Sequence, residues 1–448
     1  MAASDIDNRR SVRFAFIALG LALLAGGAML YYHQCLFLQR AHEVSAAKGL
    51  GGGYEFGNDF YPVWVTAREA LRGHDPYSAE MTREIQVGLF GRALDSRLAS
   101  DPKDLRMFVH PAFTLLVMWP AAELPFEAAR VVMGVLLVTM TLGSILLWMK
   151  ALSWEVRWPW LLVLVLLSVC SYPVLEGLYA EQLGLLMALL LAAAVVMLQR
   201  GRLLLAGVLL ALTMMKPQMS VLVAFYILVW SLAGARRRVR FLLGFFSTMV
   251  LLIGAALLAW PHWIQSWVRV LSQYHQYSEP SLLGGMLISL LGARLAGPAT
   301  VALTAGAIII GLVMAWRNRG AAADSFTFVW TVSVLLAITV IAVLPGQAVY
   351  DHVILLPGIL LVVQYWREMR ALGRVPRLLL GMGAVVLFWP WVAALGLVVV
   401  RPVVESFTFN SPAVLALPIR TAASLPFAVI ALLGYTTRVA LAEMEAKS

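Results

Sequence analysis

Charge is scarce in this chain. Lys, Arg, Asp and Glu together make up 13% of its 448 residues, about half of the roughly 25% usual in a soluble domain. That deficit excludes an ordinary water-facing globular surface. Cysteine is scarcer still: Cys35 and Cys170 lie far apart, the second inside a hydrophobic run, which excludes a disulfide framework or a cysteine-based metal site. Also missing are a Walker loop, a G-x-G-x-x-G turn opening a Rossmann unit, and an H-E-x-x-H helix. Asp5-Ile6-Asp7 does spell D-x-D, a metal-holding signature of nucleotide-sugar enzymes, but it sits in a short tail with no domain around it. The expectation is a protein that uses no metal and no cofactor.

What is abundant is apolar. Hydrophobic residues make up 61% of the chain and mean hydropathy is +0.83. Lipid tolerates such a sequence when backbone polar groups are satisfied inside helices, so the expected fold class is all-α, a polytopic integral membrane protein. Runs of roughly 17–25 apolar residues cross a hydrocarbon core about 30 Å thick. Twelve are placed near 13–32, 126–149, 158–175, 182–199, 202–215, 217–232, 241–260, 299–316, 325–344, 350–366, 378–399 and 413–434. The N-terminal RRSVRFAFIALGLALLAGGAMLYY has the basic-then-apolar order of a signal peptide. Its length, and the lack of an A-x-A-like site, make it a retained signal anchor.

The net charge of +10 does not point to a nucleic-acid partner, because the basic residues cluster at helix ends. Arg9, Arg10 and Arg13, Lys150 and Arg157, Arg200 and Arg202, Arg236, Arg237, Arg238 and Arg240, Arg317 and Arg319, Arg367, Arg370, Arg374 and Arg377, then Arg438 and Lys447 all fall on one side of a twelve-span chain. By the positive-inside rule that side is the cytoplasm. The expected location is a bacterial inner (plasma) membrane, multi-pass, with both termini cytoplasmic. The critical join is 203–232, about 45 Å as one helix, interrupted at Lys216-Pro217-Gln218. The charge rule favours two short helices with Lys216 at an outer turn, in a thinned membrane or tilted against neighbours.

Residues 1–448 thus read as a single membrane domain with two external segments. The first, 33–125, has a Gly-rich entry GLGGGYEFG, the amphipathic VWVTAREALRG, and HPAFTLLVMWPAAELPF, expected as a pair of short re-entrant or interfacial helices. The second, 261–298, carries Trp263, Trp267 and Val270 at helical spacing, as in a helix lying in the interface.

Apart from the basic loops, polar groups form six islands: GNDF, HP at His110, YAEQ, KPQ at Lys216, HQYSEP, and GQAVYDH. All lie at expected external helix ends. Ionisable groups near a membrane helix face a cavity or one another, so six islands on one side point to one external cavity. Each also has a plain reading. Asp59 would cap the helix opening at Tyr61-Pro62, Lys216 would snorkel beside a turn proline, and Glu181, Asp351 and His352 would be hydrogen-bonded helix-end groups. Arg68 and Arg72 would touch lipid headgroups.

The succession NDF at Asn58, AREALRGHDPY from Ala67, HPAFTLLVMWPAAELPF, YAEQLGLLMALLLAAA, GRLLLAGVLLALTMMKPQ and YDHVILLP resembles the polyprenyl-phosphate-dependent membrane glycosyltransferases of glycosyltransferase family 87, which include α-mannosyltransferases. The resemblance implies a GT-C architecture with a long first external loop and sugar transfer from a lipid-linked monophosphate. Asp59 matches the family's acidic position and inherits the role of base. Glu181 departs from the pattern, standing where a small residue, often Gly, is expected.

The reaction so implied moves a hexose, mannose being the family's best-known cargo, from a polyprenyl-phosphate donor to a glycolipid or cell-envelope glycan. A carboxylate ionised at neutral pH takes the acceptor's proton, and one carboxylate without a paired acid implies inversion in a single displacement, unlike the two-carboxylate hydrolases. Cations are needed for the departing phosphate; the candidates are Lys216 and His352, with His110, Arg269 and Arg294 behind them, and Asp351 orienting the His352 ring. Gln182, Gln218, Asp351 and Glu181 are candidates for sugar or acceptor contacts. Two other readings compete: a twelve-helix transporter or lipid flippase, and a non-catalytic polysaccharide-assembly subunit.

Overall fold

In lipid a backbone is satisfied by its own helix, and every regular element of the computed structural model is helical. It describes residues 2–50, 56–95, 97–98, 100–346, 348–403 and 411–445, and no strand occurs among them. The first helix does not stop at residue 32. α1 (Ala2–Tyr31) passes through a π turn at Tyr32–Phe37 into α2 (Leu38–Ala47), so Phe14–Ala47 forms a 34-residue rod, about 50 Å long. No Gly or Pro occurs in 32–47 to break it. The first connection therefore begins after Ala47, not at 33. Residues 51–55 of its Gly-rich entry lie outside the described residues.

Three short helices follow: α3 (Phe60–Leu71), α4 (Ala79–Phe90) and α5 (Phe113–Ala122). Nine of the twelve α3 residues are buried, packed on α4 and α5, so α3 is a core element and not a helix resting on lipid. Arg68 stacks over the Trp64 ring and Arg72 pairs with Glu69 at 2.5 Å. HPAFTLLVMWPAAELPF yields α5 alone, not a helix pair, because Phe126 already opens α6 (Phe126–Ala151).

The expected span 158–175 is broken. α7 (Trp158–Val169) and α8 (Tyr172–Tyr179) meet at 57°, with Pro173 in the first turn of α8, where a missing N–H costs nothing. α9 (Leu183–Gln199) then runs to the basic end of the bundle.

The join at Lys216 is broken too. α10 (Leu203–Leu212) and α11 (Val221–Ala233) are separated by two 3₁₀ turns, and Lys216 is extended at φ −133°, ψ 70°. A residue before proline is pushed out of the helical region, which stops α10. The chain reverses here. α12 (Ala235–Ala259) crosses α10 so closely that a Cβ on Gly207 would stand 2.2 Å from the Phe241 carbonyl oxygen, and one on Gly244 2.2 Å from that of Leu204. A straight rod from residue 207 to 233 would span about 39 Å, which nine residues of α12 cannot retrace. The reversal gathers the basic connections at one end. Gln199 donates to the Ala151 carbonyl (2.9 Å), Trp230 to that of Ala321 (2.7 Å), and Gln364 to that of Leu152 (3.4 Å).

α13 (Trp263–Tyr277) buries Trp263 and Val270 and exposes Arg269, and α14 (Leu282–Leu291) follows it. The second connection ends at 292 and not 298, because α15 (Ala293–Arg317) takes Pro298 into its early turns. α16 (Phe326–Ala342) leads through a 3₁₀ segment, Val349–Leu355, to α17 (Leu356–Gln364), α18 (Trp366–Ala371) and α19 (Arg374–Val400). The last helix, Leu425–Glu445, starts later than 413. Among the described residues five helices are long and apolar enough to cross a membrane, six if α7 and α8 form one bent span, and the other expected crossings are shorter apolar helices. The protein is an all-helical, polytopic membrane protein.

Candidate active site

Four helix breaks meet at the end of α9 away from the basic connections. The backbone before α3 is clamped to the α8–α9 break: Gly57 N–H donates to the Tyr179 carbonyl (2.8 Å) and Asp59 N–H to that of Ala180 (3.1 Å). The α10–α11 turn brings Lys216, and the 3₁₀ segment before α17 brings Asp351. Gly184 in the first turn of α9 makes room for Asp351, since a Cβ there would lie 2.5 Å from its Oδ1.

Asp59 occupies the N-cap position of α3 without capping it. Its backbone is helical (φ −94°, ψ −17°) and its side chain bonds no backbone N–H of that helix, unlike an ordinary cap. Instead Oδ1 accepts from Arg106 Nη1 and Oδ2 from Gln182 Nε2. The chain of contacts continues. Gln182 Oε1 accepts from Lys216 Nζ at 3.2 Å, and Lys216 donates to Asp351 Oδ1 at 2.6 Å. Lys216 also lies 5.1 Å from the Tyr350 ring centroid. Lys216, a donor only, fixes which end of the Gln182 amide faces it and so turns the NH₂ toward Asp59.

Exposure divides the cluster into front and back. Asp59 and Arg106 keep 17% and 21% of their side-chain surface, whereas Lys216 and Asp351 keep 6% and 2%. Asp59 and Arg106 form the solvent-reachable front. Lys216 and Asp351 form a neutralised pair behind Gln182.

Of the other sequence candidates, few join this cluster. Asp351 does, but it does not orient His352: the two are neighbours on a 3₁₀ segment, where successive residues diverge by about 120°. His352 is buried, leaves Nδ1 unpartnered and lines an apolar cavity on the other side. Glu181 turns away as well. Its carboxylate is fully buried beside Gly57 and Gly134, and neither oxygen meets a hydrogen-bond donor among the described residues. Its backbone is left-handed at φ +54°, the region that favours glycine, which accounts for the small residue expected there. Gln218 is half-buried in the α10–α11 turn and bonds none of the cluster, while Arg269 and Arg294 are exposed on α13 and α15.

His110 lies close by but carries no charge. Half-buried, it uses Nδ1 to bond the Met215 carbonyl at 3.2 Å, and burial, with Lys216 nearby, holds its imidazole down at about 4. Because the unfolded residue titrates near 6.5, the unfolded chain takes the extra proton first. Stability should be full above pH 6.5 and fall as pH drops toward 4. A His110→Gln variant should show a shallower loss of thermal stability between pH 6.5 and 4.5; an unchanged slope would refute this assignment.

None of the five cations named from the sequence lies directly against the Asp59 carboxylate. Arg106 does. Burial lowers its guanidinium, but the Asp59 and Asp104 carboxylates more than reverse this and keep it cationic. α4 holds its loop, with Gln86 donating to the Leu105 carbonyl (2.9 Å) and accepting from Leu94 N–H (3.0 Å). No sequence signal singled it out, since Arg68, Arg72, Arg83, Arg92 and Arg97 share its segment. The REALRGHDPY stretch is scaffold, with Tyr77 Oη donating to the His110 carbonyl at 2.7 Å.

A family model described as glycosyltransferase family 87 matches residues 108–345, more than half of the chain. The match includes His110, Glu181, Gln182, Lys216, Gln218, Arg269 and Arg294, and leaves out Asp59, Arg106, Asp351 and His352. No curated protein and no solved structure matches the chain.

Proposed function

The chain belongs to glycosyltransferase family 87, whose members are membrane glycosyltransferases, and we propose that it moves a hexose, mannose first among candidates, from a polyprenyl-phosphate donor to a glycolipid or cell-envelope glycan. The reaction would take place at the outer face of a bacterial plasma membrane, by inverting single displacement. The observation that carries this reading is Asp59: at a helix N-terminus where it would serve as a cap, its carboxylate points instead into a polar cluster beside a reachable arginine.

In the proposed step the acceptor oxygen bonds to the anomeric carbon as the carbon–oxygen bond to phosphate breaks. The bonding pair stays on the phosphate, and the acceptor proton passes to Asp59. Gln182, held by Lys216, keeps the carboxylate aimed. A lipid-borne donor is supported by an apolar cavity of about 330 Å³ among α6, α7, α17 and α19, with Trp160, Tyr172 and Phe388 in its wall. His352, the residue after Asp351, is among its lining residues, so an isoprenoid tail lying there would pass along the back of the cluster.

The test supplies membranes containing the chain with radiolabelled polyprenyl-phosphate mannose, and in parallel with other polyprenyl-phosphate hexoses. Chain-dependent label in a glycolipid or glycan is expected from one of them. Product formed only from a nucleotide sugar would overturn the donor; vesicle uptake of label without covalent product would favour a transporter.

A further inference from the structure

We infer that Arg106 is the cation for the departing phosphate, parked on the base carboxylate until the donor arrives, so that Asp59 is released for catalysis only when donor is bound. This rests on the lipid-linked donor reading above.

The cluster has two pairs of opposite charge: Arg106 with Asp59 at the front, Lys216 with Asp351 behind. Lys216 is satisfied by Asp351, Gln182 and the Tyr350 ring and is almost wholly buried. Arg106 is different. One of its nitrogens holds Asp59, its Nε stands 3.5 Å from an Asp104 carboxylate that is nearly half exposed, and the guanidinium keeps donors to spare. Its backbone is left-handed at φ +53°, a conformation a non-glycine residue keeps only when its surroundings enforce it. Here the Asp104 carboxylate accepts its backbone N–H at 2.9 Å.

The reaction moves charge between the same two places. The donor phosphate is a diester with one negative charge, and once the sugar has left it is a monoester with up to two. Over the same step Asp59 gains the acceptor proton and loses its charge. Total charge is unchanged, but one negative charge has passed from the carboxylate to the phosphate. A guanidinium able to reach both follows that charge, and its contact with phosphate strengthens as the bond breaks. Such an interaction lowers the barrier more than it tightens binding. Without donor, the same guanidinium and Gln182 occupy both carboxylate oxygens, so an acceptor hydroxyl has no free base to meet.

The direct test uses farnesyl phosphate as the leaving-group probe with the full-length protein in detergent. Asp59 is labelled with a water-soluble carbodiimide, which attacks protonated carboxyl groups, and the adduct is quantified by peptide mass spectrometry. Free wild type should label slowly, because Arg106 and Gln182 occupy both carboxylate oxygens; saturating farnesyl phosphate should raise labelling several-fold. Equal or lower labelling with farnesyl phosphate bound would overturn the hand-over while leaving the donor reading intact. No binding of farnesyl phosphate would overturn both.

Kinetics give a second readout that does not depend on labelling. Arg106→Lys, which keeps the charge and the fold but loses the fork, should lower kcat at least ten-fold with donor KM changed no more than about three-fold. A loss confined to donor KM, or a kcat per folded molecule equal to wild type, would refute the role.

Discussion

Asp59→Asn should lower sugar transfer by about 10²–10⁴-fold, the range usual for removing a general base. The substitution keeps shape and removes the group that accepts the proton. It also breaks the polarity of the contact chain. Arg106 still finds an oxygen, but the new NH₂ meets the Gln182 NH₂, and that amide cannot turn without facing Lys216 with a second donor. Some stability should therefore be lost as well, so turnover is compared per correctly folded molecule, using the monodisperse fraction from detergent size exclusion. Turnover within a few-fold of wild type in that fraction would sink the assignment of Asp59 as base.

The second large effect concerns Lys216 and Asp351. Their 2.6 Å pair is buried, with 6% and 2% of the side chains exposed. Removing one partner leaves an uncompensated buried charge, at a cost of about 3–5 kcal/mol, a large part of the 5–15 kcal/mol by which proteins are usually stable. Lys216→Met and Asp351→Asn should each lower the thermal unfolding midpoint sharply and reduce the folded yield. The double variant, with no charge left unpaired, should recover most of that stability. It should not recover transfer, because Gln182 has lost the donor that orients it toward Asp59. Single variants as stable as wild type would show that the pair is not structural. A double variant with full activity would remove Lys216 from the positioning of the base.

Much of the site could be anticipated residue by residue. Lys216-Pro217-Gln218 announced a break because proline restricts the residue before it, and the reversal there places Lys216 at the cluster. The polar islands at Asp59, Gln182, Lys216 and Asp351 are brought together by four helix breaks. Arg106 was not legible as their partner. It is 47 residues from Asp59 in the chain, in a loop with no periodicity to say which way it faces. His352 misled for a related reason: next to Asp351 in sequence, it is turned to the opposite wall by a segment wound at three residues per turn. The named cations Arg269 and Arg294 lie on exposed helix faces of α13 and α15.

Sequence by itself determined the solvent and the secondary structure. With 61% hydrophobic residues, the chain is committed to lipid, and lipid commits its backbone to helices; proline placed two of the breaks. These are local properties, settled by each residue and its near neighbours. Tertiary structure alone decided that α3 is buried and which charges face one another. A carboxylate looks the same in sequence whether it caps a helix or serves as a base. Asp59 became a candidate base only when packing withdrew its side chain from α3 and set it against Arg106 and Gln182, groups brought from 47 and 123 residues away.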